Sequence, residues 1–372
     1  MIYIHVLDEF SFAGGGVRSV VSDLSQEMAN RKQNVYIMPL GLPHGDDIDI
    51  YAKWAKEKNI NFSLLRKEGE SLVRAVINFR KILKKLIKED KCCLYLHLKR
   101  GVLVGILASL GLKDIRKIEV YHSNYINYKL QAAVCKHFLD YYLAVSKESY
   151  NQLCKKYRIN NSKIKYAPNG IDINKALSQV HSIQRDKHCY RLFSIGRLAP
   201  PKNFETSIQA YNLFRQANSS INCEYLIAGD GPQRKEFELL ANGNINFMGM
   251  LKRNEVFSYI ASADVVLFPS LWEGLSIALL EVMAIGCPVI VTDIPSFRDV
   301  LGFQPLSKDE LFRPCSFGAV FHKESIESCM AAIDYMVHNR DFHHSMKCYV
   351  SSLVKDYTLQ KQTQSYIEAA QF

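Results

Sequence analysis

The hydrophobic and polar positions of this chain alternate between two kinds of segment. Short apolar runs of four to seven residues, such as residues 2–7 and 92–98, are followed by stretches with the 3.6-residue spacing of an amphipathic helix. The short runs predict strands and the longer stretches predict helices. This alternation continues along most of the chain, which is typical of parallel sheets with helices on both faces.

The predicted strands form two groups, separated by a polar segment that ends near residue 188. The first group comprises residues 2–7, 34–40, 60–65, 92–98, 117–123, 141–146 and 163–168. The second group comprises residues 191–196, 224–229, 244–249, 264–269, 288–293 and 318–321. We therefore predict an α/β fold of two doubly wound, Rossmann-like domains, 1–167 and 168–357, with a C-terminal helix at about 358–372 that packs back on the first. Because ligands of such sheets bind at the carboxyl ends of the strands, we expect the two domains to face a central cleft.

Composition narrows the class of protein. A chain of 372 residues with 48% apolar and 23% charged residues is expected to be globular and to form two domains. It has no run of eighteen apolar residues and no cationic signal-peptide start, so we expect neither a membrane-spanning helix nor secretion. Its ten cysteines lack CxxC or Cys/His metal spacing. That pattern favours reduced thiols in a cytoplasmic protein and disfavours structural zinc.

The positive charge is concentrated in the first half of the chain. Residues 1–167 contain 28 Lys and Arg against 16 Asp and Glu, whereas the remainder has a slight acidic excess. Such asymmetry predicts an anionic partner for the first half, which could be a membrane surface, a nucleic acid or an acidic substrate.

Candidate phosphate-binding residues follow strands of the second half. Arg197 and Lys202 come directly after the strand at 191–196, and two cations at a strand's carboxyl end suit a diphosphate. A helix predicted to begin near Leu275 would direct its free amides and positive dipole end toward the same space.

The stretch EGLSIALLE, residues 273–281, supplies the other candidate contacts of this helix. Gly274 permits close backbone approach, and amide donors are expected from Leu275, Ser276 and Ile277. Glu281 is placed to accept hydrogen bonds from a ribose diol, and Glu273 to hold sugar hydroxyls. Each charged residue alone is compatible with an ordinary surface charge, but their order on these elements favours a nucleotide-sugar site.

These motifs resemble those of the family-four retaining glycosyltransferases of the GT-B fold, bacterial surface-polysaccharide type. The residues that carry the resemblance are Gly196-Arg197, Lys202-Asn203, Gly229-Asp230-Gly231-Pro232, Phe247, Gly249, Pro269-Ser270, Glu273, Glu281, Gly286, Pro288-Val289-Ile290 and the segment PNGID at 168–172. The resemblance covers nearly the whole chain and is most specific over 195–293. It implies that Arg197 and Lys202 hold the donor diphosphate, that Glu273 contacts the sugar and that Glu281 contacts the ribose, with Gly249 also in the donor site.

Two features of the first half are also matched. The glycines of SFAGGGVRS (residues 11–19), Gly15 and Gly16 among them, resemble the family's loop near the donor phosphates, although a flexible turn is the alternative interpretation. The loop lacks GxGxxG, which disfavours NAD. His122 matches the family's cleft histidine that contacts the transferred sugar, although a lone histidine is more often structural.

The resemblance implies a hexosyltransferase that retains anomeric configuration, needs no divalent metal or cofactor, and uses Glu273, His122, Arg197 and Lys202 at its catalytic centre. The donor is expected to be a UDP- or GDP-linked sugar. An Asp-x-Asp within residues 46–49 has no supporting pattern and is interpreted as coincidence. Many relatives have Phe-Gly where this chain has Leu275-Ser276, which leaves the preferred donor sugar open.

The acceptor is predicted from an amphipathic helix at residues 71–91. Its polar face is basic, and its apolar residues Val76, Ile77, Leu83 and Leu86 are expected to pack on the sheet. The basic residues are Arg74, Arg80, Lys81, Lys84, Lys85 and Lys88. Such faces bind anionic lipid headgroups. We therefore expect a peripheral enzyme on the inner face of the cytoplasmic membrane, acting on a lipid-linked glycan or a lipopolysaccharide or capsule acceptor.

Two alternatives remain open at this point. A soluble transferase that acts on a small sugar or sugar-phosphate acceptor would share every donor motif. A nucleic-acid-binding protein would explain the charge, but no recognition motif for nucleic acid is present, so no nucleic-acid partner is expected.

Overall fold

The computed structural model describes residues 1–11, 16–122, 128–241 and 243–371 of the chain. The chain folds into two compact units, one of Met1–Gly170 with the C-terminal segment from Leu359, the other of Ile171–Thr358. Each unit contains one seven-stranded sheet flanked by helices. The division after Gly170 falls three residues later than the predicted end of the first domain.

The sheet of the first unit is entirely parallel, with the strand order β3-β2-β1-β4-β5-β6-β7. Its strands are β1 (Ile2–Leu7), β2 (Asn34–Pro39), β3 (Asn61–Phe62), β4 (Cys92–His97), β5 (Ile115–Tyr121), β6 (Tyr141–Ala144) and β7 (Ile164–Tyr166). Its helices before the second unit are α1 (Val17–Asn30), α2 (Ile48–Glu57), α3 (Leu72–Leu86), α4 (Leu98–Ser109), α5 (Tyr128–Cys135) and α6 (Lys147–Asn151). Strands β1 and β4 are buried along their whole length, which explains their continuous apolar sequences.

The sheet of the second unit has the order β10-β9-β8-β11-β12-β14-β13, and only the β13–β14 pair is antiparallel. Its strands are β8 (Tyr190–Ile195), β9 (Cys223–Ala228), β10 (Ile245–Gly249), β11 (Val265–Phe268), β12 (Val289–Thr292), β13 (Phe312–Cys315) and β14 (Gly318–Phe321). Its helices are α7 (Ile173–Ser178), α8 (Phe204–Ala217), α9 (Arg234–Ala241), α10 (Arg253–Ser262), α11 (Ile277–Ile285), α12 (Pro295–Leu301), α13 (Ile326–His338) and α14 (His343–Leu353).

The last helix, α15 (Leu359–Ala369), belongs to the first unit. Its attachment is polar as well as apolar. The Tyr95 hydroxyl donates to the carbonyl oxygen of Tyr366 at 2.6 Å, and the Gly170 amide donates to the Gln362 side chain at 2.9 Å. Both tyrosine rings are fully buried, so the helix completes the core of this unit.

The structure of α3 differs from the predicted amphipathic helix at two residues, Ile77 and Arg80. Ala75, Phe79, Leu83 and Leu86 form its buried stripe, with Val76 packed at the edge. Ile77 is 42% exposed, so its predicted packing on the sheet is wrong. At 100° per residue, a side chain two positions from both Ala75 and Phe79 points away from them.

Arg80 also departs from the predicted face, because its guanidinium binds the end of α4. Its Nη1 donates to the carbonyl oxygens of Ala108 and Leu110 at 2.9 and 2.7 Å. The four lysines Lys81, Lys84, Lys85 and Lys88 are exposed, as is Arg74. Across the described residues, every helix is too short or too polar to traverse a bilayer.

Candidate functional site

The loop after β8 is held by its neighbour after β9. The Leu198 amide donates to the Asp230 carbonyl at 2.9 Å, and the Gln233 amide donates to the Leu198 carbonyl at 3.1 Å. A Cβ on Gly229 would lie 1.9 Å from the carbonyl oxygen of Gly196, so the two backbones meet only because residue 229 is glycine. The predicted glycine motif therefore positions the loop that carries Arg197.

Arg197 and Lys202 differ in their surroundings, although both lie on this loop. Arg197 is exposed, whereas Lys202 is half-buried and its Nζ forms an ion pair with Glu273. The Ser270 hydroxyl donates to the same Glu273 oxygen at 2.9 Å. The Leu271 amide donates to the Pro201 carbonyl at 2.9 Å, which joins the two loops by their backbones as well. The contact between Lys202 and Glu273 was not predicted from the sequence. The two residues are 71 positions apart, and their loops become neighbours only when the strands that precede them pair in the sheet.

Helix α11 begins two residues later than predicted, at Ile277 rather than near Leu275. Ser276 has an extended backbone, and its hydroxyl caps the helix by accepting from the Leu279 amide at 3.4 Å. Ser276 is the N-cap and Ile277 is the first residue of the helix, so the amides of both residues have no intrahelical acceptor. Leu275 and Gly274 lie in the loop before the cap, so their amides belong to that loop and not to the helix terminus.

Glu281 is the fifth residue of α11, and its side chain is buried. Its Oε1 lies 2.9 Å from Nε of Arg253, at the start of α10. This partner could not be predicted from the sequence, because 28 residues separate the two and no spacing rule links them. Any ligand hydroxyl that binds Glu281 would share this carboxylate with the guanidinium.

The loops that carry these residues follow neighbouring strands of the second sheet. Strands β10, β9, β8 and β11 are neighbours and parallel, and the loops with Gly249, Gly229, Arg197 and Glu273 all follow their carboxyl ends. The chain leaves β8 for β9 on one side and reaches β11 on the other, so β8 and β11 flank a topological switch point. Such points are where open parallel sheets bind ligands. Gly249 is tied into this edge by its carbonyl, which accepts from the Gly229 amide at 2.8 Å.

The remaining candidate residues lie in the first unit. Gly16 is exposed, has a φ of 75°, and directly precedes α1. Gly15 lies outside the described residues. His122 follows β5 and is almost fully buried, with 7% of its surface exposed. Burial lowers the pKa of His122 to about 3, so its imidazole is neutral at physiological pH.

His122 is linked to two further histidines that sequence reasoning missed. Its Nε2 lies 2.9 Å from Nδ1 of His97, the last residue of β4. Nε2 of His97 lies 3.0 Å from Nδ1 of His5, in β1. Neighbouring rings stack with centroids 5.2 and 5.3 Å apart. All three residues lie toward the carboxyl ends of predicted strands, but the hydrophobic pattern does not show that these strands are neighbours in the sheet.

The part of the chain that the structure describes contains no group of three or more His, Cys, Asp or Glu side chains arranged to hold a metal ion. All ten cysteines are free thiols, and six of them are buried.

Two family models match successive parts of the chain. The model described as Glycosyltransferase Family 4 matches residues 14–175, and the model described as Glycosyl transferases group 1 matches residues 179–351. Together they span both units.

Curated relatives match a shorter part of the chain. A UDP-Gal:alpha-D-GlcNAc-diphosphoundecaprenol alpha-1,3-galactosyltransferase of Escherichia coli is 27% identical over 157 residues, which is 38% of this chain and 40% of that protein. The O-antigen chain mannosyltransferase RfbU of Salmonella typhimurium is 27% identical over 174 residues, 46% of each chain. The chain thus spans less than half the length of these relatives.

Solved structures have a similar fold over nearly the whole length of the chain. Anabaena Alr3699/HepE, crystallised with UDP and glucose, superposes with a TM-score of 0.76 at 15% identity and covers 98% of both chains. At 15% identity, this similarity is evidence for a shared fold and not for a shared activity.

Proposed function

We propose, from the membership of this chain in the family-four glycosyltransferases of the GT-B fold, that it moves a hexose from a UDP- or GDP-linked donor to a membrane-bound glycan. The observation that carries the proposal is the convergence of Arg197, Lys202 and the start of α11 at the switch point of the second sheet. Two cations and a helix N-terminus suit a diphosphate.

The donor diphosphate would occupy the space ahead of α11. Arg197 is free in the described structure to bind phosphate oxygens in a fork, and the amides of Ser276 and Ile277 add neutral donors. Lys202 would exchange its contact with Glu273 for a phosphate oxygen, or hold both at once. Glu273, released or shared, would then face the sugar hydroxyls, and Glu281 would accept from the ribose beside Arg253.

The reaction would break the bond between the anomeric carbon and the phosphate oxygen, and the electron pair would stay on the nucleoside diphosphate. The acceptor hydroxyl oxygen would form the new bond on the same face, so configuration is retained. Its proton would pass to the leaving phosphate oxygen. Arg197, Lys202 and the helix amides would stabilise the charge that develops on the leaving group, without a divalent metal.

The acceptor side of the proposal rests on the first unit. Three exposed lysines of α3, together with Lys88 just after the helix ends at Leu86 and not at 91 as predicted, adjoin two exposed apolar side chains of the same helix, Val73 and Ile77. Helix α4, which Arg80 ties to α3, exposes Leu103, Leu107 and Leu110. A face that combines lysines with apolar side chains suits an anionic bilayer surface, where each basic residue contributes about 1 kcal/mol. We therefore place the enzyme peripherally on the inner face of the cytoplasmic membrane.

The test is transfer of labelled sugar into lipid. Purified protein is incubated with membranes of its native host and with radiolabelled UDP- and GDP-sugars in turn, with and without EDTA. We expect one donor to label the organic-extractable fraction at equal rates in both conditions, and NMR of the product to show the donor's anomeric configuration. Label confined to water-soluble products would favour the small-acceptor transferase. Absence of transfer from every donor would contradict the proposal, an inverted product would contradict retention, and loss of transfer in EDTA would contradict metal independence.

A further inference from the structure

Three buried histidines cross the first sheet in a continuous hydrogen-bonded row. His5, His97 and His122 come from β1, from the end of β4 and from the residue after β5, which are neighbours in the sheet. His5 and His97 have no exposed surface, and only His122 has some. Burial lowers the pKa of all three, to about 3 for His5 and His122, so each ring is neutral. A neutral imidazole carries one N–H and one lone pair.

This constraint permits only two arrangements of protons. The two contacts join Nδ1 of His5 to Nε2 of His97, and Nδ1 of His97 to Nε2 of His122. Each contact needs one N–H and one lone pair, and His97 uses both of its nitrogens. Fixing the proton of His97 therefore fixes the other two. Either all three rings are protonated on Nδ1, or all three are protonated on Nε2.

The far end of the row selects between them. Nε2 of His5 is buried and has no hydrogen-bond partner among the described residues. Aromatic rings surround it: Tyr95 stacks on His5 with centroids 5.0 Å apart, and the Tyr366 ring lies 6.5 Å away. A proton on this nitrogen would leave an orphaned N–H, whereas a lone pair leaves only an unused acceptor. Orphaned buried N–H groups are the rarer and costlier case.

We propose that His5 and His97 are positioning residues that hold His122 as a neutral imidazole protonated on Nδ1, so that His122 offers a hydrogen-bond donor to a substrate hydroxyl and cannot act as a base there. The role toward substrate rests on the proposed function. The proton arrangement does not, because it follows from the contacts of the free protein.

The first test measures the tautomers directly. Protein labelled with ¹⁵N in histidine is examined at pH 7 by long-range ¹⁵N–¹H correlation, with signals assigned from single-substitution variants. His322 and His343 are internal references, because their Nε2 atoms lie 2.7 and 3.1 Å from carbonyl oxygens and must carry protons. We expect His5, His97 and His122 to show the opposite, Nδ1–H pattern. An Nε2–H or a protonated His122 would overturn the proposal, whether or not the protein transfers sugar.

The second test breaks the row at its far end. His5→Phe keeps an aromatic ring but removes the N–H, and His5→Asn restores an amide donor near the position of Nδ1. We expect His5→Phe to remove the hydrogen bond that orients the ring of His97, and through it the ring of His122, and to lower kcat about tenfold, the worth of one hydrogen bond. Affinity for the free nucleoside diphosphate should not change, and His5→Asn should recover most of the activity. Tyr366→Phe is the matched control, because it alters the same aromatic surroundings without touching the row.

The outcomes separate a positioning role from a packing role. Equal loss of kcat in folded His5→Phe and His5→Asn, or an equal loss in Tyr366→Phe, would assign the residue to packing and overturn the proposal. If His5→Phe does not fold, His97→Phe at the middle of the row is read by the same spectrum. Nδ1–H signals in a protein that transfers no sugar would leave the proton arrangement standing and contradict the proposed function instead.

Discussion

Lys202 forms an ion pair in the free protein, whereas Arg197 forms none with the described residues. In the free protein the Lys202 ammonium neutralises the half-buried carboxylate of Glu273, while Arg197 is exposed on the same loop with no ion pair in the described part of the chain. A charge removed from a half-buried pair leaves its partner uncompensated, whereas a charge removed from solvent costs little. The two cations should therefore respond differently to the same substitution.

Replacing either cation should cut transfer by a similar factor. Arg197→Ala and Lys202→Ala each remove a charge that stabilises the leaving diphosphate, which costs about 3 kcal/mol, or roughly 100-fold in kcat. We expect Arg197→Ala to leave the melting temperature unchanged and Lys202→Ala to lower it slightly. Lys187→Ala, an exposed lysine before β8 at the opposite end of the strand, is the control. Near-wild-type turnover in both variants would remove the diphosphate assignment.

The two glutamates should separate binding from transfer. Glu281→Ala removes the proposed ribose contact and should weaken the free nucleoside diphosphate. Glu273→Ala removes the competitor for Lys202, so binding of the same nucleotide should be no weaker, yet transfer should fall. Calorimetric titration of both variants, beside rate measurements, checks this. Equal losses of nucleotide affinity would mean that the roles are wrongly assigned.

At the level of elements, strand positions were predictable, but the details at their ends were not. Residues 318–321 were predicted as a strand and form β14, but its antiparallel partner β13 was missed because its four residues include Arg and Pro and none is fully buried. The start of α11 was misplaced by two residues because the cap is set by the Ser276 hydroxyl, which competes with helical propensity. Hydrophobic periodicity predicts where the strands lie along the chain. It does not predict which charged side chains meet across loops, and so Lys202–Glu273, Arg253–Glu281 and the histidine row were not foreseen.

Membrane attachment is predicted to depend on the exposed lysines of α3 and the residues just after it. Reversing Lys81, Lys84, Lys85 and Lys88 to Glu should abolish binding to vesicles that contain anionic lipid, because all four side chains are exposed and outside the buried stripe. Nucleotide binding should be unchanged, since the proposed donor residues belong to the other unit. Wild-type protein should also release as added salt shortens the Debye length from about 10 Å at 0.1 M to about 3 Å at 1 M, unless Val73 and Ile77 insert.

A matched variant distinguishes this helix from net charge alone. It reverses four exposed lysines of the same unit that lie outside α3, namely Lys53, Lys56, Lys67 and Lys155. Flotation of vesicles with the two variants should differ, with binding lost only in the α3 variant. Equal loss in both would indicate a diffuse electrostatic attraction, and indifference of the wild type to anionic vesicles at low salt would favour a soluble acceptor.

At the scale of the whole molecule, the two units differ in how many buried histidines link their folding stability to pH. Among the described residues, the first unit has three buried histidines, His5, His97 and His122, whereas the second has one, His343. Buried histidines link stability to pH, because the unfolded chain binds protons that the folded chain excludes.

This linkage predicts acid sensitivity of the first unit. The folded pKa of His5 and His122 is about 3 and that of the unfolded residues is about 6.5. Their contribution to stability is therefore nearly complete at pH 7.5 and is lost progressively as pH falls through 6.5 toward 3, by up to about 1.4 kcal/mol per pH unit for each histidine. Urea unfolding at pH 7.5, 6.5 and 5.5 should show a midpoint that falls slightly over the first interval and more steeply over the second. His5→Phe should show a shallower fall, and an unchanged slope would contradict the buried neutral row.

The central claim is that the second unit binds the nucleoside diphosphate of a sugar donor, and thermal melting with free nucleotides tests it most directly. UDP, GDP and ADP are added separately at millimolar concentration, with inorganic phosphate as the control. A ligand at 100 times its Kd stabilises the folded state by about 2.7 kcal/mol, which raises the melting temperature by several degrees. We expect UDP or GDP to produce this shift in the wild type and in Lys187→Ala, and the shift to shrink in Arg197→Ala. Melting temperatures that none of the three nucleotides changes, or a shift that Arg197→Ala leaves intact, would contradict the account.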